Sequence, residues 1–427
     1  MNKLFLVLDN LLGIREQLNL DKIENIIMDS RKVQKGDLFF AINNGNKYID
    51  EVLEKGAYIV VADNYSGEDK RVFKVSNTVE FMQKFAKEYR EALGLKVIAI
   101  TGSNGKTTTK DMIYSVLSRK YITKKTEGNY NNHIGLPFTI LQLEEKDEIV
   151  VLEMGMSGFG EIDLLSSIAK PDIGVITNIG DSHLEFLKTR ENVFKAKTEL
   201  LNYVSSENTY IIGDDLYLKN VAGNKIGFNR ENNFVIEDFI DSNDGMSFKI
   251  EDSEYNLNVN GKHNALNAGM AIAIGKRFDL TSEEIKEGLK NLHLTPMRFQ
   301  KIEKEDLIYI NDAYNASPIS MEYSLNTFDK LFNNMKKIVV LGDMLELGEK
   351  EIEFHREIIE KALSIKCNKI YLYGERMKKA YGLLEKNDKI RCFNEKEDIV
   401  KLIANETEKV AVLLKGSRGM KLEEIIK

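Results

Sequence analysis

The stretch Thr101-Gly102-Ser103-Asn104-Gly105-Lys106-Thr107-Thr108 brings together the residue types that grip phosphate. Glycines let backbone N–H groups close around phosphate oxygens, and a following helix adds positive potential at its N-terminus. Lys106 would reach the β- and γ-phosphates of ATP, and the Thr107 hydroxyl would hold Mg²⁺. The apolar run 96–100 before the loop reads as a buried strand, and a helical pattern follows it, which is the context such a loop requires. The general pattern also has a glycine five residues before Gly105, where this chain has Ile100. On these residues alone, a Gly-Lys-Thr turn that binds nothing is the other reading.

Hard-metal ligands stand after two further apolar runs. Glu153 ends Ile149-Val150-Val151-Leu152, and His183 closes Thr177-Asn178-Ile179-Gly180-Asp181-Ser182-His183. Ligands at the carboxyl ends of parallel strands face the crevice into which a phosphate loop opens, and can serve Mg²⁺ beside ATP oxygens. A glutamate capping a turn and a histidine satisfied locally are the plainer alternatives. In Gly261-Lys262-His263-Asn264-Ala265-Leu266-Asn267, two asparagines three apart share a helix face. Their amides could read an adenine edge, or Asn264 could simply cap the helix. The segments 311–318, 342–349 and 415–420 place polar residues beside Gly or Pro after three more apolar runs, as one binding rim or as ordinary turns.

The elements that must position these groups follow an α/β rhythm. Candidate strands at 37–42, 57–62, 96–100, 149–153 and 173–177 alternate with helical patterns, including 79–93, 263–276 and 282–290. Four later runs at 307–310, 337–341, 369–373 and 410–414 predict another parallel sheet. A chain of 427 residues suggests about three domains, placed at 1–80, 81–297 and 298–427. Neither a fixed-period repeat nor a low-complexity tract is present. The 60 basic and 67 acidic residues give a net charge of −7, which argues against a general nucleic-acid binder. Cys367 and Cys392 are too few for a disulfide framework and fit a reducing compartment. The start, with one lysine and a short apolar run broken by Asp9, does not read as a signal peptide, and no run is long enough to span a membrane. The residues thus predict a cytoplasmic, Mg²⁺- and ATP-dependent enzyme with a separate substrate rim, and name no substrate.

Taken together, these motifs resemble the Mur ligases of bacterial cell-wall synthesis, along essentially the whole chain. The family's phosphate loop has the shorter form Gly-x-x-Gly-Lys-[Ser/Thr], which Gly102 to Thr107 matches. Asp29-Ser30-Arg31 and Lys35-Gly36-Asp37-Leu38-Phe39-Phe40-Ala41 resemble its N-terminal uridine-nucleotide domain, and the segment 127–137, with Asn132, its substrate-side loop. Glu153, His183 and Lys197 match its metal-site positions. Asp312-Ala313-Tyr314-Asn315-Ala316-Ser317-Pro318, the segment 341–348 with Asp343, and Lys415-Gly416-Ser417-Arg418-Gly419 are similar to the members that add D-alanyl-D-alanine. The chain departs from the pattern at Asn46-Lys47-Tyr48, where Asp-Gly-His is common, and at Thr198, where Gly is common.

The resemblance implies a three-domain α/β fold: a small uridine-binding domain, a central ATPase-like parallel-sheet domain and a C-terminal Rossmann-like domain. It implies a monomer that joins D-alanyl-D-alanine to the carboxylate of UDP-N-acetylmuramoyl-tripeptide through an acyl phosphate. Another amino-acid ligase of the same fold is the alternative. ATP would meet residues 101–108 (Thr101, Gly102, Ser103, Asn104, Gly105, Lys106, Thr107 and Thr108) with Asn264, Asn267, Arg298 and Asp312. Ser30, Arg31, Asn132, Tyr314, Asn315, Asp343 and Lys415 would meet substrates. Mg²⁺ would sit at Thr107, Glu153, His183 and Lys197. A plain ammonium repels Mg²⁺, and family members carry this lysine as a carbamate. The site would be completed when the C-terminal domain closes. A non-catalytic nucleotide switch would not need Glu153, His183 and Lys197 together, and the uridine-like segment disfavours a folate substrate.

Overall fold

A computed structural model describes residues 2–242 and 245–426. The chain forms three α/β units, each on its own sheet. In the first, β1 (Ile26–Ile27), β2 (Leu38–Ala41), β3 (Ile59–Ala62) and β4 (Val72–Lys74) pair in sequence order, all parallel. β2 reads Leu-Phe-Phe-Ala and β3 Ile-Val-Val-Ala, buried at every position, as befits strands covered on both faces.

The helix Thr78–Leu93 leads into the second unit. Asn77 caps it, accepting from the N–H groups of Val79 and Glu80, and Gly94 ends it in the left-handed region. One end packs Phe81 on Phe40 of β2, with ring centroids 6.4 Å apart. The other end donates the Tyr89 hydroxyl to the carbonyl of Leu143, at 2.7 Å. The boundary expected at 80 therefore falls inside a helix that serves both units.

The central sheet holds β5 (Lys96–Thr101), β6 (Thr123–Lys125), β7 (Ile149–Glu153), β8 (Ile173–Ile176), β9 (Thr209–Ile212), β10 (Asn224–Gly227), β11 (Phe234–Ser242), β12 (Gly245–Ile250) and β13 (Ser253–Leu257). Its order is β13-β12-β11-β10-β9-β8-β5-β7-β6, parallel from β11 to β6 and antiparallel across β11, β12 and β13. Sequence reading gave no strand for the stretch from β9 to β13. β13 shows one reason: Tyr255 and Leu257 are buried while Glu254 and Asn256 are exposed, so no continuous apolar run marks it. β5 lies between β7 and β8, with Ile100 opposite Glu153 and Thr101 opposite Ile176. Three strands thus end side by side.

The third sheet comprises β14 (Gln300–Lys304), β15 (Leu307–Asn311), β16 (Lys336–Gly342), β17 (Lys369–Tyr373), β18 (Ile390–Phe393) and β19 (Val410–Lys415), in the order β14-β15-β19-β16-β17-β18. Only the β14–β15 pair is antiparallel. The boundary expected at 297 lies in the segment before β14. Among the described residues no helix is long and apolar enough to cross a membrane.

Candidate active site

The loop between β5 and the helix Lys106–Leu117 is shaped by the segment after β8. Gly102 has φ +145°, and a Cβ there would stand 1.9 Å from the Thr177 hydroxyl, so only glycine fits. Thr177 donates to the Asn104 carbonyl at 2.6 Å, and the Asn178 amide donates to the same oxygen at 2.9 Å. The Asn178 side-chain oxygen in turn accepts from the Asn104 N–H at 3.0 Å. At Gly105, φ is +82° and a Cβ would approach Asn267 Oδ1 to 2.8 Å. Asn267 also accepts from Thr109 Oγ1 at 3.1 Å and donates to Asn264 Oδ1 at 3.3 Å. Asn264 is not a cap, because Gly261 holds that position and the Asn264 amide donates to the Asn260 carbonyl at 2.8 Å. Lys106 Nζ donates to the Gly102 carbonyl at 2.8 Å. Burial lowers the pKa of its ammonium, and the Glu153 carboxylate opposes that shift.

Glu153 ends β7 with only 4% of its surface exposed. Its Oε1 accepts from Asn131 Nδ2 at 2.9 Å, whereas Oε2 is buried with no donor among the described residues. A buried carboxylate oxygen left bare is costly unless a cation meets it. Among the described residues no three His, Cys, Asp or Glu side chains gather as a metal site. The donor set instead suits Mg²⁺, which takes one or two protein oxygens and fills its octahedron with phosphate and water. His183 Nδ1 lies 2.7 Å from Glu346 Oε2, within ion-pair distance but without the alignment of a hydrogen bond. Burial lowers the His183 pKa, and the imidazole holds Glu346 below the usual carboxylate range.

Lys197, on the helix Arg190–Thr198, is 1% exposed. Among the described residues no hydrogen bond or carboxylate offsets the burial of its amine. Burial first, and then the charge of Lys106, push its pKa well below the ordinary lysine value.

The C-terminal unit supplies the opposite wall. Asp312 follows β15 and Lys415 ends the neighbouring β19; they pair at 2.8 Å. Burial lowers the Lys415 pKa, and Asp312 counters it. Lys415 also donates to the Asn315 carbonyl at 2.9 Å. Arg298 lies 4.0 Å over the Tyr314 ring and donates to the Thr107 hydroxyl at 2.8 Å. Ser317, which caps the helix Pro318–Leu331, donates to Asn104 Oδ1 at 2.9 Å. The two units therefore stand closed on the phosphate loop around a cleft of about 500 Å³.

Loop residues 103–108, Asn132, Glu153, His183, Asn264, Asn267, Arg298, Asp312, Tyr314, Asn315 and Lys415 all line that cleft. Thr101, Gly102 and Lys197 do not, although Lys197 lies close enough to lower the pKa of His183. Ser30 and Arg31 stand apart on the first unit, where Arg31 grips Asp29 with two bonds of 2.8 Å and leaves 86% of its side chain exposed. Asp343 is also outside the cleft. Its carboxylate accepts from the N–H groups of Arg376 and Met377, at 3.2 and 2.9 Å, at the start of the helix Glu375–Tyr381. The side-chain oxygen of Asn132 accepts from the N–H of Ile134 and Gly135, and it is Asn131 that reaches Glu153. Sequence reading also passed over Thr177, Asn178, Ser317 and the ring pair His263–Tyr323, stacked 5.4 Å apart across the unit boundary. Thr177-Asn178 after a strand was the one available signal; the others depend on tertiary contact.

Known proteins share this arrangement. The family model for the Mur ligase middle domain matches residues 100–275, and that for the Mur ligase glutamate ligase domain matches 297–418. The UDP-N-acetylmuramoyl-tripeptide--D-alanyl-D-alanine ligase of Bacillus subtilis (strain 168) is 40% identical over 423 residues, covering 95% of this chain and 93% of its own. The protein of the same description from Borreliella burgdorferi is 35% identical over 82% of this chain and 78% of its own. A crystal structure of MurF from Acinetobacter baumannii superposes with a TM-score of 0.89 at 26% identity, over 99% of this chain and 97% of that one. MurF ligase from Thermotoga maritima in complex with ADP gives 0.83 at 29% identity, over 96% and 97% of the two chains. With two family models matching most of its length and a relative 40% identical over 95% of it, the chain belongs to the Mur ligase family.

Proposed function

We infer that the chain is an ATP-dependent ligase that joins D-alanyl-D-alanine to the terminal carboxylate of UDP-N-acetylmuramoyl-tripeptide. The observation that carries this reading is the near full-length likeness to D-alanyl-D-alanine-adding ligases, combined with a cleft whose two walls meet at Arg298 and Thr107. The tripeptide carboxylate attacks the γ-phosphorus of ATP, ADP leaves, and an acyl phosphate forms. The dipeptide amine then attacks the acyl carbon, an amide forms, and inorganic phosphate departs.

Such transfer requires positioning and charge neutralisation rather than covalent help. Lys106 and the N–H groups at the start of the helix Lys106–Leu117 take the phosphate oxygens. Arg298 adds a forked cation from the other wall. Asn264 and Asn267, which line the cleft, are assigned to the base, and Asp312 to the ribose. Tyr314, Asn315 and Lys415 face the incoming dipeptide. Closure of the C-terminal unit shields the acyl phosphate from water. Mg²⁺ supplies, when bound, neutralisation of phosphate charge; Thr107, Glu153 and His183 would hold it. Lys197 would join them as a carbamate: a neutral amine adds to CO₂, loses one proton, and presents an anionic oxygen. Its burial and lowered pKa favour the neutral amine that this addition needs. Ser30 and Arg31 are assigned to the uridine-nucleotide end of the substrate.

The test is ADP release with ATP, Mg²⁺, UDP-N-acetylmuramoyl-tripeptide and D-alanyl-D-alanine, omitting each in turn. Release that needs both substrates, with a product heavier by the dipeptide minus water, is expected. Absence of coupled release with both the lysine- and the diaminopimelate-containing tripeptide would overturn the dipeptide assignment.

A further inference from the structure

Asp111 lies outside the cleft, on the face of the helix Lys106–Leu117 that also carries Thr107 one turn earlier. Its side chain has no exposed surface, yet its carboxylate is fully engaged. Oδ1 accepts from Lys125 Nζ at 2.7 Å and lies 3.6 Å from Lys110 Nζ. Oδ2 accepts twice from one residue, from the backbone N–H and the hydroxyl of Thr295, both at 2.8 Å. The two lysines are themselves anchored: Lys110 donates to the Thr126 carbonyl at 2.8 Å, and Lys125 lies 4.8 Å over the Tyr114 ring.

Thr295 belongs to the segment that joins the helix Ser282–Lys290 to β14, the connection between the central and C-terminal units. Three residues on, Arg298 returns to the same helix and donates to Thr107 at 2.8 Å. The linker is thus fastened at two points, a turn apart, on the phosphate-loop helix. Between and beside them the backbone is unusual. Pro296 fixes one φ, while Met297 and Phe299 adopt φ of +64° and +52°, which non-glycine residues hold only where their surroundings impose it.

We propose that Asp111 is a positioning residue for nucleotide binding: by holding Thr295 it sets the linker so that Arg298 arrives at Thr107 and the phosphates. A buried carboxylate with these partners cannot slide, so the path from Thr295 to Arg298 has one length and one direction. The inference rests on the ATP reading above.

Thr295→Val removes one of the two donors, Thr295→Ser keeps both, and Asp111→Asn removes the charge. Hydrogen exchange over residues 292–299 without nucleotide reads the fastening itself, and titration with Mg²⁺-ADP reads its consequence. Faster exchange and about tenfold weaker Mg²⁺-ADP binding are expected for Thr295→Val and Asp111→Asn, with Thr295→Ser like the parent. In an Arg298→Ala background Thr295→Val should weaken binding no further, because its effect passes through Arg298. If Asp111→Asn does not fold, Thr295→Val decides alone. Unchanged exchange, a loosened linker with unchanged affinity, or full additivity with Arg298→Ala would overturn the proposal. Failure of the parent protein to bind Mg²⁺-ADP would instead sink the ATP reading, and the role given to Arg298 with it.

Discussion

Glu153 at the end of β7 and Ile100 within β5 face each other in register, so the carboxylate stands beside the root of the phosphate loop rather than at a distance that side-chain motion must close. Its position comes from the sheet, and its bare Oε2 comes from Asn131 satisfying only the other oxygen.

Glu153→Gln retains an oxygen for Asn131 but removes the charge proposed to meet Mg²⁺. Ligation should fall by roughly 10²–10³-fold, with a raised Mg²⁺ requirement and no loss of thermal stability, since a buried charge is relieved. Initial rates across a Mg²⁺ series check this; an unchanged Mg²⁺ optimum at full activity would refute it.

Arg298→Ala removes both the bond to Thr107 and the cation over Tyr314. The expected cost is about 2 kcal/mol in ATP recognition, roughly thirtyfold in KM for ATP. Arg298→Lys should recover little, because a point charge reproduces neither the planar fork nor its stacking. Steady-state kinetics with ATP varied at saturating co-substrates measure both variants.

Lys197→Ala should abolish ligation, with partial return on adding short carboxylic acids that supply the missing oxygen. Independently of activity, protein equilibrated with ¹³C-bicarbonate should show a carbamate ¹³C resonance that Lys197→Ala lacks. A fully active alanine variant without additives would refute the role.

Burial pushes the His263 imidazole down to about 4, from an ordinary value of 6.5. Between these values the unfolded chain binds more protons than the folded one, so stability rises with pH across roughly pH 4 to 6.5 and is lost as pH falls through that window. His263→Phe keeps a ring on Tyr323 and should flatten this part of the melting-temperature profile. Thermal denaturation at half-unit pH steps would test it, and an unchanged slope would count against it.

What could be read in advance was whatever physics writes locally. The parallel strands 149–153 and 369–373 are continuous apolar runs and appear where expected, and the residues 101–108 carry their own context. Asp343 misled because a carboxylate after a strand beside glycine looks the same whether it meets a ligand or, as here, the N-terminus of a helix more than thirty positions away in sequence. Asn131 and Asn132 differ by one position, and only the turn geometry decides which amide points at Glu153. Asp111 carried no signal at all, because its partner Thr295 lies 184 residues on.

The helix shared by the first two units also has a thermodynamic reading. Leu38, Phe40 and Val61 of the first sheet belong to one continuous apolar cluster with Phe85, Tyr89, Val97 and Leu152, whereas the third sheet keeps its own clusters on its two faces. Cooperative melting follows continuous cores rather than sheet count. Calorimetry should therefore resolve two endotherms, a larger one for the fused first and second units and a smaller one for the C-terminal unit. A chain with three sheets would then behave as two foldons, and the C-terminal foldon could detach and return while the phosphate loop stays folded.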